Sequence, residues 1–125
     1  ARAGVGVAPA RAGVGGLGGN DPARGAVASW AKTLAGELAP LGITVNNVLP
    51  GYTDTERLGS LISARATKAG QTADQVKKDM IASIPAGRFG TAEEIGAAIA
   101  FLCSPAASYI NGINLPVDGG RLQGL

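Results

Sequence analysis

The segment Ile43-Thr-Val-Asn-Asn-Val-Leu-Pro-Gly-Tyr-Thr-Asp-Thr55 decides the fold of this chain. It opens with a short apolar run of β-forming residues, Pro50 and Gly51 stop the run, and a helical pattern follows the polar turn. This order predicts a buried strand that ends in a loop and leads into a helix. Because ligands of open α/β sheets bind at the carboxyl ends of the strands, we expect a ligand at this loop.

The loop offers several groups to such a ligand. Gly51 has no Cβ, so its backbone can come close to a bound molecule. Thr53 and Thr55 provide hydroxyl and backbone donors that suit amide or phosphate oxygens. The alternative interpretation is a plain strand–turn–helix connection that binds nothing, and the loop sequence alone leaves both interpretations open.

Composition and charge exclude several classes of protein. The chain has 125 residues, of which 46% are hydrophobic and 16% charged, which is typical of one globular domain. A net charge of +2 is too small to indicate nucleic-acid binding. With one cysteine, Cys103, and no histidine, an internal disulfide is impossible and a metal site is not expected. No apolar run could span a membrane and no signal peptide is visible, so we expect a cytoplasmic location.

Residues 1–19 differ in composition from residues 20–125. They contain only Ala, Gly, Val, Arg, Pro and Leu, so we expect an irregular arm before one partial domain. The arm includes Gly13-Val-Gly-Gly-Leu-Gly18, which matches the dinucleotide fingerprint by letter. That fingerprint requires a strand directly before it and a helix directly after it, and neither is predicted here. We interpret the match as an accident of glycine-rich composition.

The rest of the chain alternates helical and strand patterns. The first helix carries an apolar face that includes Trp30, which we expect to pack in the core or at a subunit contact. The last helix is preceded by the capping box Thr91-Ala-Glu-Glu94 and is apolar almost all round, so we expect it to be buried together with Cys103. The predicted helices span residues 22–38, 56–68, 72–82 and 92–103, and the predicted strands span residues 43–48 and 113–117.

Three further segments carry a family resemblance: Gly25-Ala-Val-Ala-Ser-Trp-Ala-Lys-Thr-Leu-Ala-Gly-Glu-Leu-Ala-Pro-Leu-Gly42, Ile84-Pro-Ala-Gly-Arg-Phe-Gly-Thr-Ala-Glu-Glu-Ile95 and Ser108-Tyr-Ile-Asn-Gly-Ile-Asn-Leu-Pro-Val-Asp-Gly-Gly120. With the opening segment, they resemble the carboxyl-terminal half of a short-chain dehydrogenase/reductase, most of all the 3-oxoacyl-[acyl-carrier-protein] reductase type. The resemblance covers about residues 24–120. It implies an α/β fold, a partial Rossmann-like doubly wound parallel sheet that retains its last two strands and flanking helices.

The resemblance also implies a function. Members transfer a hydride between NAD or NADP and a small-molecule carbonyl or alcohol, in some cases an acyl-carrier-linked one. It implies that Pro50, Gly51, Thr53 and Thr55 contact the nicotinamide carboxamide and the pyrophosphate, and that residues 56–82 form a lid over the substrate. The lid region also fits two amphipathic surface helices packed on a sheet. The implied parent is a homo-oligomer without nucleic-acid or membrane partners.

The chain departs from the family at the catalytic Tyr-x-x-x-Lys motif. Arg24 stands at the Lys position and Asn20 at the Tyr position. Arginine can still hydrogen-bond a ribose, but asparagine has no proton to give near neutral pH. The alternative is therefore a non-catalytic remnant or divergent relative that acts only in subunit assembly. A third hypothesis is a frameshift, or a mis-called start, just upstream of Arg24. It would explain the composition of the arm and the lack of a predicted strand, a serine and a tyrosine before the first helix.

Overall fold

The computed structural model describes residues 2–7 and 22–123. Three parallel strands form one sheet in the order β1–β2–β3. The strands are β1 (Arg2–Val7), β2 (Ile43–Pro50) and β3 (Asn114–Val117), and the helices are α1 (Pro22–Leu38), α2 (Glu56–Ala69), α3 (Ala73–Ala82) and α4 (Ala92–Leu102). Helix α1 connects β1 to β2, and the other three helices connect β2 to β3. The predicted α/β class with a parallel sheet is confirmed.

Strand β1 corrects the prediction for the amino-terminal arm. Arg2 to Val7 pair in parallel with Ile43 to Val48, so this part of the arm is not irregular and the sheet has three strands, not two. Glycine-rich sequence has a low propensity for strands. The backbone groups of β2 provide a row of hydrogen-bond partners that outweighs this low propensity. One premise of the frameshift hypothesis, that no strand precedes the first helix, is therefore wrong. Residues 8–21 lie outside the described residues.

The helices begin and end close to the predicted residues. Helix α1 spans the predicted residues, and Gly42 at φ 73° closes the short 3-10 turn Ala39–Leu41 that follows it. The Thr55 hydroxyl accepts a hydrogen bond from the Leu58 backbone N–H and caps α2, while Gly70 at φ 64° ends that helix. Thr91 and Glu94 form the predicted capping box of α4. These ends place β2, its loop and α2 as the sequence indicated.

Two asparagines join the sheet to the loop before β3. Asn46 is completely buried, its Nδ2 donates to the Ile110 carbonyl at 3.1 Å and its Oδ1 accepts from the Ile113 N–H at 3.2 Å. Asn111 Oδ1 accepts from the Val45 N–H at 2.9 Å, and its Nδ2 donates to the Ala35 carbonyl of α1 at 2.9 Å. These bonds satisfy polar groups that would otherwise be buried without partners. They fix the entry of β3 against the middle of β2.

Helices α2 and α3 pack on each other and form their own apolar cluster. The cluster also takes in two residues from the segment before α4, and Tyr52 packs against it. Leu61, on the same helix as Leu58, is exposed. No helix among residues 22–123 is long and apolar enough to cross a membrane. The buried members of the cluster are Leu58, Ile62, Ala66, Val76, Met80, Ile84 and Phe89.

Two expectations about burial are wrong. Leu102 is the only fully buried residue of α4, and Cys103 is exposed, because the helix packs on the sheet with one side and its other side is open. Trp30 is 65% exposed because α1 turns Ala31 and Ala35, and not Trp30, into the core. The placement of Trp30 in the core is excluded, and its placement at a subunit contact stays a prediction.

Candidate functional site

The carboxyl ends of β2 and β3 meet side by side, and the candidate site lies there. Pro50 pairs with Val117 in the last position of the ladder, and the Gly51 N–H then donates to the Val117 carbonyl at 3.0 Å. The loop that leaves β2 and the turn that leaves β3 therefore start in contact. This is the edge of an open parallel sheet where ligands bind.

Gly51 lies directly against Asp118 in the turn after β3. A Cβ placed on Gly51 would be 2.6 Å from the Asp118 Cβ and 2.7 Å from its Cα, closer than real carbon atoms approach. The sequence led us to assign Gly51 to the close approach of a ligand. The structure gives a different cause, because the neighbouring turn already occupies the space that a side chain would need.

A second loop holds the segment after Gly51 from the other side. The Gly90 N–H donates to the Tyr52 carbonyl at 2.9 Å, and the Asp54 N–H donates to the Gly90 carbonyl at 2.8 Å. Thr53 lies between these two bonds and forms a single parallel bridge with Gly90. The loop after β2 is therefore hydrogen-bonded both to β3 and to the segment before α4.

The two threonines of the loop have different surroundings. The half-buried Thr53 hydroxyl donates to the Gly51 carbonyl at 3.2 Å, which leaves its oxygen lone pairs able to accept. The exposed Thr55 caps α2, so its hydroxyl oxygen has a structural role. Its position at the start of a 14-residue helix also places it beside the amides of the first turn, which lack partners within the helix and attract anions.

Tyr52 of the loop forms a cluster with Phe89 and Arg121. The Arg121 guanidinium carbon is 4.2 Å from the centroid of the Tyr52 ring, and Arg121 Nη2 donates to the Tyr52 hydroxyl at 3.2 Å. The Tyr52 ring also meets the Phe89 ring edge to face, with centroids 6.2 Å apart. A cation over a ring and an edge-to-face aromatic pair are both favourable. Tyr52 thereby connects the loop to the α2–α3 cluster and to the end of β3.

Asp118 organises the turn after β3. Its Oδ1 accepts from the Gly120 N–H at 3.0 Å and its Oδ2 from the Leu122 N–H at 2.8 Å. Gly119 and Gly120 take the left-handed φ values of 65° and 86°, which favour glycine. A cavity of about 340 Å³ lies between this turn and the start of α4. It is lined by Ala86, Arg88, Gly90, Glu94, Ile95, Pro116, Val117, Asp118, Gly119 and Gly120.

An ion pair between two residues that line this cavity fixes the segment that contains Gly90. Arg88 donates through Nη1 to Glu94 Oε2 at 2.9 Å and through Nη2 to Glu94 Oε1 at 2.6 Å. The hydrogen bond from Arg88, with a second from the Thr91 N–H, lowers the pKa of Glu94 to about 2. The same pair raises the pKa of Arg88. Glu94 thus serves the ion pair and the helix cap together.

The two predicted catalytic positions cannot be compared with the loop, because both fall partly or wholly outside the described residues. Arg24 lies in the first turn of α1, and its side chain lies outside the described part of the chain. Asn20 lies outside the described residues altogether. A wider depression of about 610 Å³ runs along α1 and the loop before β3, and no residue of the Pro50–Thr55 loop lines it. Among the described residues, no group of three or more His, Cys, Asp or Glu could hold a metal ion.

Sequence reasoning missed three residues of the site, namely Tyr52, Asp118 and Arg121. Asp118 had a usable signal, because an acidic residue before two glycines is typical of a side-chain-stabilised turn. Tyr52 lay inside the quoted loop but was not assigned a role. Arg121 is 69 positions from Tyr52 in the chain, and nothing in the local pattern indicates their contact.

Comparison with known proteins gives the family. A family model described as enoyl-(acyl carrier protein) reductase matches residues 5–121. The chain is 40% identical over 99 residues to the short-chain reductase protein NovJ of Streptomyces niveus, covering 79% of this chain and 36% of that protein. It is 41% identical over 98 residues to the 3-oxoacyl-[acyl-carrier-protein] reductase FabG of Salmonella typhimurium, covering 78% and 36%.

A solved structure shows the same architecture. The crystal structure of YwfH, an NADPH-dependent reductase involved in bacilysin biosynthesis, superposes with a TM-score of 0.83 at 29% identity, covering 97% of this chain and 47% of that one. The chain belongs to the short-chain dehydrogenase/reductase family, as the sequence resemblance predicted. It spans about a third of the length of the curated relatives it matches.

The contact between Gly51 and Asp118 predicts a large effect for a small substitution. In Gly51→Ala the new methyl group must displace the Asp118 backbone, so we expect a loss of about 1–3 kcal/mol in the free energy of unfolding, measured by urea denaturation. Gly59→Ala is the matched control, since its Cβ would lie in open space on α2 and should stabilise the helix by about 0.5–1 kcal/mol. Equal stability of Gly51→Ala and the unmodified chain would show that the contact is not a constraint.

The low pKa of Glu94 predicts a dependence of stability on acid. Because the folded pKa of about 2 lies below the ordinary value of 4.5, this group stabilises the fold above pH 4.5 and loses that contribution as the pH falls towards 2. We expect the melting temperature of the unmodified chain to fall more steeply across this window than that of Glu94→Gln. Glu93→Gln, an exposed neighbour in the same turn, is the control and should keep the steep fall. Parallel curves for Glu94→Gln and the unmodified chain would contradict the assignment.

Proposed function

We propose that this chain provides the nicotinamide side of the cofactor site in an NAD(P)-dependent oxidoreductase that reduces a carbonyl or oxidises an alcohol by hydride transfer. One observation carries the proposal: the Pro50–Thr55 loop leaves the central strand at the ligand-binding edge of the sheet and is hydrogen-bonded on both sides. Family membership and the NADPH-dependence of YwfH support it.

The residues of the loop fit a nicotinamide dinucleotide. A carboxamide needs both donors and acceptors, and the half-buried Thr53 hydroxyl with the adjacent backbone offers both. A pyrophosphate is anionic, and the helix start capped by Thr55 favours negative charge. Pro50 and Gly51 hold the loop in register with β3. The nicotinamide, when bound, gives or accepts the hydride, and these residues bind and orient its ring.

The acid–base part of the proposal concerns Arg24 and Asn20, and the second of these lacks the proton that the reaction needs. Arg24 is proposed to hydrogen-bond the nicotinamide ribose, since its guanidinium is a permanent donor. Asn20 at the family's tyrosine position cannot pass a proton to the substrate oxygen, and general acid catalysis is worth roughly 10²–10⁴-fold in rate. Tyr52 does not stand at the motif position, and it is held in the loop by contacts of its hydroxyl with Arg121 and of its ring with Phe89.

The wider assignments follow from the relatives and the surface. The substrate is proposed to be a small-molecule carbonyl or alcohol, with an acyl-carrier-linked compound suggested by the name of the FabG relative. A homo-oligomeric parent would cover the large exposed apolar side chains Trp30 and Leu41. A low net charge argues against a nucleic-acid partner, and a single cysteine suits a cytoplasmic location.

A second candidate function is subunit assembly without catalysis. The substitutions at Asn20 and Arg24 favour it, because they remove the family's proton donor and alter its partner. The exposed Trp30 on α1 also favours it, since a large exposed aromatic residue is typical of a contact surface. The two candidates differ in whether the Pro50–Thr55 loop supports hydride transfer when a proper acid is present.

Two chimeras with FabG of Salmonella typhimurium separate these candidates. One joins the amino-terminal part of FabG to residues 25–123 of this chain, so that FabG supplies the tyrosine and lysine. The other joins it to residues 20–123, so that Asn20 and Arg24 are retained. We expect the first to oxidise NADPH with a 3-oxoacyl substrate, and the second to be slower by about 10²–10⁴-fold because it lacks the acid.

Folding of each chimera is checked by its circular dichroism and melting temperature. A folded but inactive first chimera would contradict the oxidoreductase proposal and favour the assembly function. Equal activity of the two folded chimeras would show that Asn20 is no obstacle to proton transfer. Thr53→Val in the first chimera should raise the KM for NADPH, because it removes a hydrogen-bonding group from the cofactor side of the loop.

A further inference from the structure

Arg121 makes two contacts with the same residue of the loop. Its guanidinium carbon lies 4.2 Å from the Tyr52 ring centroid, and its Nη2 donates to the Tyr52 hydroxyl at 3.2 Å. Arg121 is half-buried, and its Nε is buried without a hydrogen-bond partner among the described residues. The guanidinium is therefore directed at the aromatic ring, although this leaves one of its donors unsatisfied.

Tyr52 occupies the position in the loop where a side chain can control the backbone on both sides. Gly51 precedes it and donates to Val117, and Thr53 follows it and bridges to Gly90. The backbone carbonyl of Tyr52 itself accepts from the Gly90 N–H at 2.9 Å. The Tyr52 side chain is therefore attached to a backbone segment that is hydrogen-bonded on both sides.

The pocket of Tyr52 has two walls from distant parts of the chain. Phe89 forms one wall through an edge-to-face contact, and Arg121 forms the other through its planar guanidinium. Arg121 is itself placed by the turn that contains it, in which the Asp118 carboxylate accepts from the N–H groups of Gly120 and Leu122. The end of β3 is thus connected to the loop after β2 by a side chain as well as by the backbone.

We propose that Arg121 is a positioning residue that acts through Tyr52: by covering the ring and donating to its hydroxyl, it holds residues 51–54 in the geometry that the cofactor site requires. This inference rests on the proposed function of the loop. It assigns no contact with cofactor or substrate to Arg121. Lysine in its place keeps a charge over the ring but loses the planar fork that reaches the hydroxyl.

Amide hydrogen exchange on the full 125-residue chain without cofactor tests the positioning. The Gly51 and Asp54 amides report on the loop, and the Gly112 amide, which donates to the Val45 carbonyl at 2.9 Å, reports on the sheet away from it. In Arg121→Gln we expect exchange at Gly51 and Asp54 to accelerate about tenfold, because a cation–π contact and a hydrogen bond are lost together. Exchange at Gly112 should not change.

Further variants separate positioning from general stabilisation. Arg121→Lys should restore part of the protection, and Tyr52→Phe, which removes only the hydroxyl, should accelerate loop exchange by about twofold to fivefold. Arg65→Gln, a half-buried arginine on α2, is the control and should leave all three amides unchanged. The proposal is overturned if Arg121→Gln changes none of the amides, or changes all three by the same factor. Since no cofactor is present, this failure is distinct from inactivity of the chimeras.

Discussion

The parallel pairing of β2 with β3, continued by the bond from Gly51 to Val117, is the interaction on which the rest of the structure depends. It brings the loop of one strand and the turn of the next so close that only glycine fits at position 51. The loop, the Asp118 turn and the first turn of α2 take their positions from this contact. It also places the backbone groups of the loop at the carboxyl ends of the strands, the edge at which ligands of open α/β sheets bind.

The α2–α3 cluster is a second level of organisation that depends on the first. Its seven buried members come from residues 58–89, and Tyr52 from the loop packs against it. The two helices therefore have a core of their own, and Tyr52 is the residue of the candidate loop that packs against it. Within the described residues, Leu58 and Met80 pack inside this core. For the proposed lid, the side chains that remain available to a substrate are therefore the exposed ones, such as Leu61.

Much of the fold could be predicted because its signals are local. Thr55, Gly70 and Thr91 mark helix ends through hydrogen bonds and backbone angles that span only a few residues. Strand β1 could not be predicted, since its stability comes from the partner strand and not from its own glycine-rich sequence. The burial of α4 and of Trp30 was misjudged for a related reason, because an apolar pattern shows which residues can be buried but not which side of a helix finds a partner.

The candidate site shows the same division. The Pro50–Thr55 loop was located from a break in one strand, but the clash that requires Gly51 and the contact of Arg121 with Tyr52 join residues about 70 positions apart. Such contacts are set by the register of the sheet, which the sequence pattern alone did not determine. The roles of Pro50, Gly51, Thr53 and Thr55 towards a cofactor, and those of Arg24 and Asn20, stay predictions.

A crystal structure of the chimera that carries residues 25–123, grown with NADP, tests the central claim most directly. The account predicts that the nicotinamide carboxamide lies against the Pro50–Thr55 loop, within hydrogen-bonding distance of its backbone or of the Thr53 hydroxyl, with Gly51 still in contact with Asp118. A bound cofactor whose nicotinamide touches none of residues 50–55 would contradict it.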